Sequence, residues 1–237
     1  MLKNGIIECL HKSNEGTIMD YAKLALYVAR AIALLTAIPF HEAAHAWASD
    51  KLGDPTAKMY GRMSLNPVRH FDLLGALCMI LVGFGWAKPV PVAARNNFRH
   101  PRRDMALSAA AGPLANVLLA VICLIFYKLV WYLVIPLYYG EFVWLFILNV
   151  LSSMISVNIT LAVFNLLPVP PLDGSRIFNV LLPERIYFGI MRYERVILFC
   201  LFAVLWLGVL DGPLNVMYNW LLQGLDMLTG FIDWIFT

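Results

Sequence analysis

The sequence predicts an all-α membrane protein, a polytopic helical bundle of about five spans plus a re-entrant or extended segment near residues 71–98. Three observations lead there. Hydrophobic residues make up 61% of the 237-residue chain and charged residues only 14%, whereas soluble domains are nearer half apolar and a quarter charged. The apolar excess is gathered into long runs, several of them reaching the ~20 residues that cross a bilayer. The Lys and Arg residues lie in blocks between those runs.

The first residues, MLKNGIIECLHKSNEG, do not make a signal peptide, because the apolar stretch Gly5–Leu10 is short and broken by Glu8. Residues 1–20 are therefore expected to form a tail. A first helix should run from about Tyr21 to Asp50 and stop at Lys51-Leu52-Gly53-Asp54-Pro55, where Gly and Pro both end helices. The next apolar run, Leu73–Ala87, is about fifteen residues long, which suits a re-entrant or interfacial segment better than a span. After it, Ala87-Lys88-Pro89-Val90-Pro91-Val92 reads as extended chain, since each Pro disfavours helix for its predecessor. Four more helices are expected, over about Asp104–Ile135, Phe142–Leu167, Val196–Leu210 and Leu214–Phe236. No internal repeat appears.

Charge placement sets an orientation. Lys51–Arg103 holds nine Lys/Arg and Arg176–Arg195 holds four, while the turn Pro136–Gly140 holds none. The positive-inside rule puts both basic regions at the cytoplasmic face. The expected layout in the cell membrane has the N-terminus outside and the C-terminus inside. A net charge of +3 without a basic run interleaved with aromatics excludes a nucleic-acid partner. The cysteines Cys9, Cys78, Cys123 and Cys200 form no CxxC pair or disulfide framework and read as small buried hydrophobes.

One cluster carries chemistry. His41-Glu42-Ala43-Ala44-His45 places two imidazoles four apart, on one helix face, where both reach a single Zn²⁺. Glu42 stands beside them as a general base. At about 1.5 Å per residue, His41 lies roughly 13 Å from Asp50 along the helix, below the membrane surface. Ionisable residues in an apolar helix mark function by default. A catalytic zinc site has three protein ligands, and the best third candidate is Asp173, aimed by irregular backbone after Pro168, Pro170 and Pro171. The competing reading of Asp173 is a helix cap after a proline stop.

Other residues weigh less. His70 and Asp72 form an HxD pair better read as a helix start or an interfacial pair than as metal ligands, and His100 reads as a solvated loop residue. Asn116 lies in an apolar helix and should bond a neighbouring helix. Lys128 should snorkel to the interface. Arg30 has no evident role.

The three segments HEAAH (His41–His45), Ala111-Gly112-Pro113-Leu114-Ala115-Asn116 and NLLPVPPLDGSRI (Asn165–Ile177) together resemble the site-2 proteases, intramembrane zinc metalloproteases, in their small form without PDZ or CBS modules. The resemblance covers about Ala31–Ile177. It implies one Zn²⁺ per chain on His41, His45 and Asp173, Glu42 as catalytic base, and Asn165 as a residue holding substrate or the oxyanion. It also implies a transmembrane protein as substrate, a catalytic core over residues 21–177 and C-terminal membrane helices over 178–237, and leaves oligomeric state open. Two competing readings are a transporter, which would want paired broken helices in two halves, and a catalytically silent protein of the same fold, which would have no need of Glu42.

Overall fold

The computed structural model describes residues 2–70, 72, 91, 97–137 and 142–236, with side chains of the first helix described at Ala25 and from Tyr27 onward. Every regular element among the described residues is helical. Helix α1 spans Leu2–Lys51 and α2 Thr56–Met59, followed by a 3₁₀ turn at Pro67–Arg69. Helix α3 spans Pro101–Leu129 and continues through a π turn, Val130–Val134. Then come α4, Phe142–Asn165, α5, Asp173–Phe178, α6, Glu184–Met191, α7, Glu194–Trp206, and α8, Asp211–Phe236.

The first helix begins at Leu2 rather than near Tyr21. At about 1.5 Å per residue its 50 residues reach about 75 Å, well beyond a ~30 Å hydrocarbon core. The predicted re-entrant run, Leu73–Ala87, and most of the Pro/Val strip lie outside the described residues.

Helices α1, α3 and α4 form the centre of the bundle. Ala29, Ala33 and Ala37 are fully buried at four-residue intervals on α1, and this stripe of small side chains lets neighbouring backbones approach closely. The apolar core lies between α3 and α4, with Leu119, Ala120, Cys123 and Leu124 meeting Ile155, Ile159 and Val163, and Leu225 of α8 closing it. Outward-facing residues are large and apolar: Leu114, Leu118, Phe126 and Trp131 on α3, Trp220, Met227 and Trp234 on α8. A surface of this kind is satisfied by lipid rather than water.

Among the described residues two helices are long and apolar enough to cross a membrane, Pro101–Val134 and Val143–Asn165, and a third crossing is available if Val196–Trp206 and Asp211–Phe236 count as one span bent by 85°. About five spans were expected. The difference arises partly at α7, whose 13 residues reach only about 20 Å, short of a bilayer core. It therefore adds no reversal of direction. Helix α8 runs parallel to α3, with Leu214–Leu225 beside Leu119–Leu124 and Asp226 and Asp233 beside Lys128. Its C-terminal end thus lies by the far end of α3, away from Arg102 and Arg103, and the expected placement of the C-terminus on the basic side is corrected.

Lys128 does not snorkel. It is buried, with Nζ 2.7 Å from Asp226 Oδ1 and 2.5 Å from Asp233 Oδ2, and Tyr132 donates its hydroxyl to Asp233 Oδ1 at 3.1 Å. Asp226 and Asp233 stand two turns apart on one face of α8 and share this cation, and removing it leaves like charges together. Lys128→Met should loosen α8, read as faster hydrogen exchange over Asp211–Phe236 and a lower melting temperature, whereas Lys128→Arg should behave nearly as wild type. Unchanged exchange in α8 would show that the tie is dispensable.

Candidate metal centre

Three elements deliver the site. His41 and His45 sit one turn apart on α1, buried against α3. Their rings pack edge to face, with centroids 4.6 Å apart. Asp173 opens α5, just after the loop that carries the chain out of α4. Its Oδ2 lies 3.1 Å from His41 Nε2 and 3.2 Å from His45 Nε2, and the two Nε2 atoms are 3.0 Å apart. Among the described residues this is the group of His, Cys, Asp and Glu able to share one metal ion.

The loop that aims Asp173 depends on two features of its sequence. Asn165 ends α4, and the stretch to Leu172 holds Pro168, Pro170 and Pro171, with the Pro170–Pro171 peptide cis. Gly174 then passes so close to the Leu166 and Leu167 carbonyls that a Cβ there would overlap both. Gly174→Ala should displace the start of α5 and with it the Asp173 carboxylate. The expected readout is zinc binding weakened by at least about tenfold, the lower end of what disturbing a ligand's support costs, measured by chelator competition.

The third wall is α3, and it touches the imidazoles directly. A Cβ built on Gly112 would come within 2.5 Å of His45 Cε1 and 2.6 Å of His41 Cε1, and closer still to His45 Nε2. Only a residue without a side chain fits there. One turn earlier, Ser108 accepts the Nδ1–H of His45 on its backbone carbonyl at 2.7 Å. A carbonyl only accepts, so the proton of neutral His45 is on Nδ1 and Nε2 presents a bare lone pair. The Ser108 hydroxyl meets Ser49 Oγ at 2.7 Å, which fixes the register of α1 on α3.

These residues fit a zinc ion. Two imidazole nitrogens and a carboxylate oxygen converge, and Asp173 Oδ2 is buried without a hydrogen-bond partner among the described residues. Tetrahedral zinc with ligands at about 2.0–2.1 Å separates them by about 3.3 Å, close to the 3.0, 3.1 and 3.2 Å found. The donor set, two His and one carboxylate, is one that catalytic zinc uses, with a position left for water or substrate.

Of the other residues singled out from sequence, Glu42 is half-buried beside His41. Asn165 donates its carboxamide N–H to the Leu161 carbonyl of its own helix at 3.0 Å. His70 is fully buried, with Nε2–H donating to the Ser64 carbonyl at 2.6 Å; neither it nor Asp72 nor His100 joins the metal group. Sequence reasoning gave no structural part to Ser108 or Gly112. A backbone carbonyl has no residue signature, but a Gly beside a Pro in the middle of an apolar helix costs stability, and that was the available signal.

A helical membrane protein with a buried His-His-Asp centre and an adjoining Glu has the parts of a metal-dependent hydrolase. Comparison with known proteins narrows this. Residues 132–208 match the profile of "Peptidase family M50". The chain is 41% identical over 166 residues to "Putative zinc metalloprotease YwhC" of Bacillus subtilis (strain 168), covering 69% of this chain and 73% of that protein. It is 26% identical over 161 residues to "Putative zinc metalloprotease Rip2" of Mycolicibacterium smegmatis, covering 67% of this chain and 59% of that one. No solved structure matches. The chain belongs to peptidase family M50, the site-2 protease family of zinc metallopeptidases.

Proposed function

We propose that the chain is an intramembrane protease that holds one Zn²⁺ on His41, His45 and Asp173 and cleaves transmembrane segments of other membrane proteins. The observation that carries this is the convergence of the three ligand atoms within 3.2 Å of one another, on helices packed for a bilayer. In this reading residues 21–177 form the catalytic core. The basic loops and the site face the cytoplasmic side of the cell membrane, and α1 adds a span to those counted above.

Bound zinc would supply Lewis acidity, polarising the scissile carbonyl and making water acidic enough to lose a proton near neutral pH. The protein's own groups do the rest. Glu42 takes the proton of the attacking water and returns it to the leaving amine. Ser108 holds His45 in the tautomer that keeps Nε2 free for the metal. Asn165 exchanges its bond to Leu161 for one to the carbonyl oxygen, where negative charge grows. A helical substrate must first unwind, because its carbonyls are otherwise engaged along the helix. The Pro/Val strip Trp86–Ala93, nearly all of it outside the described residues, is the sequence candidate for holding the opened segment by strand addition, with Pro89 and Pro91 unable to donate.

The test is cleavage of a transmembrane substrate by the purified protein. A zinc chelator should silence it and added Zn²⁺ should restore it. Cleavage that continues at full rate after zinc has been stripped would overturn the proposal.

A further inference from the structure

His45 has its ring fixed by Ser108, but the equivalent atom of His41, Nδ1, is buried with no hydrogen-bond partner among the described residues. An imidazole that ligates metal through Nε2 carries its proton on Nδ1, and that proton needs an acceptor. A buried donor left without an acceptor is destabilising. On α3 stands the complementary orphan. Asn116 is fully buried, and neither its Oδ1 nor its Nδ2 has a partner among the described residues.

Helix register brings the two toward each other. Ser49 and His45 meet Ser108, and His45 and His41 meet Gly112, so α1 and α3 are antiparallel. One further turn sets Asn116 opposite Ala37, which is fully buried and offers no polar side-chain atom. Helical side chains lean toward the N-terminus of their own helix. The carboxamide of Asn116 therefore reaches back over the Gly112 turn, and the ring of His41 leans toward Ala37. On antiparallel helices these two directions converge. The bare backbone of Gly112 lets the His41 ring pack directly on α3, its Cε1 only 2.6 Å from where a Cβ of Gly112 would stand, one turn from Asn116.

We infer that Asn116 is the positioning residue of His41, its Oδ1 accepting the Nδ1–H of His41 and so holding Nε2 toward His45 and Asp173. Rotation of the carboxamide, or one bridging water, joins the two atoms. The inference rests on the zinc reading above and adds to it a residue that touches neither metal nor substrate.

The experiment measures zinc affinity by chelator competition and the visible absorption of the Co²⁺-substituted protein, both independent of proteolysis. Wild type, Asn116→Leu, Asn116→Ala and Asn116→Asp are compared, each checked for fold by circular dichroism and by its elution in detergent. Loss of a ligand's hydrogen-bond acceptor weakens metal binding about 10–100-fold. That loss is expected for Leu and Ala, with an altered Co²⁺ spectrum and no lower melting temperature of the metal-free protein for Leu. Asp keeps an acceptor and should bind zinc at least as tightly as wild type. Wild-type zinc affinity in a folded Leu or Ala variant would overturn the inference, as would an Asp variant as weak as Leu. Absence of zinc binding by the wild type itself would instead overturn the zinc reading.

Discussion

Glu42→Gln is expected to keep its zinc and lose cleavage by about 10²–10⁴-fold, the range that a positioned general base contributes. The two halves of this result have separate causes. Zinc should stay because Glu42 is outside the ligand group, which is His41, His45 and Asp173, and Gln preserves the size of the side chain. Cleavage should fall because a carboxamide cannot take a proton from water. Adding zinc should not rescue the variant, which separates it from ligand variants. Zinc content by elemental analysis and cleavage of a model transmembrane substrate check both halves. Full activity with zinc retained would remove Glu42 from the chemistry.

Gly112→Val should have an effect of similar size through a different route. The position is inside α3, and a Val there is not a helix problem, since Val fits an apolar helix better than Gly does. The difficulty is across the interface. The first atom of any side chain would lie 2.5 Å from His45 Cε1 and 2.6 Å from His41 Cε1, against an optimum of about 3.5–4.0 Å between carbons. Either α1 moves away from α3, breaking the His45–Ser108 and Ser49–Ser108 bonds, or both imidazoles turn off the metal. Zinc affinity should drop by at least about 100-fold, the upper end of the loss expected from disturbing one ligand's support, because two ligands are displaced together. The helix content should stay near wild type. A Gly112→Val protein that is folded and binds zinc normally would show that α3 is not the wall described above.

Much of the site was legible from residue spacing. His41, Glu42 and His45 lie on one turn, and helix geometry alone puts the two imidazoles side by side. Asp173 was less determined, because its position depends on a proline-rich loop whose path no periodicity describes. The loop and Gly174 turn out to set it. The fold was legible where apolar runs are long, at α3 and α4, and failed where length was marginal. The run Val196–Leu210 reads as a span by composition, yet α7 is too short and bends by 85° into α8. Lys128 was read alone on its own helix, since its partners Asp226 and Asp233 come from a helix far along the chain. Side chains that act through long-range pairing carry no local signal. Ser108 works through its carbonyl, which has no residue signature, and Gly112 through the side chain it lacks, marked only by a Gly beside a Pro inside an apolar helix.

The most direct test is diffraction from crystals of the zinc-loaded protein at the zinc absorption edge. A single anomalous peak should lie within about 2.0–2.2 Å of His41 Nε2, His45 Nε2 and an oxygen of Asp173. A peak bound elsewhere, or one touching the imidazoles with Asp173 turned away, would contradict the account.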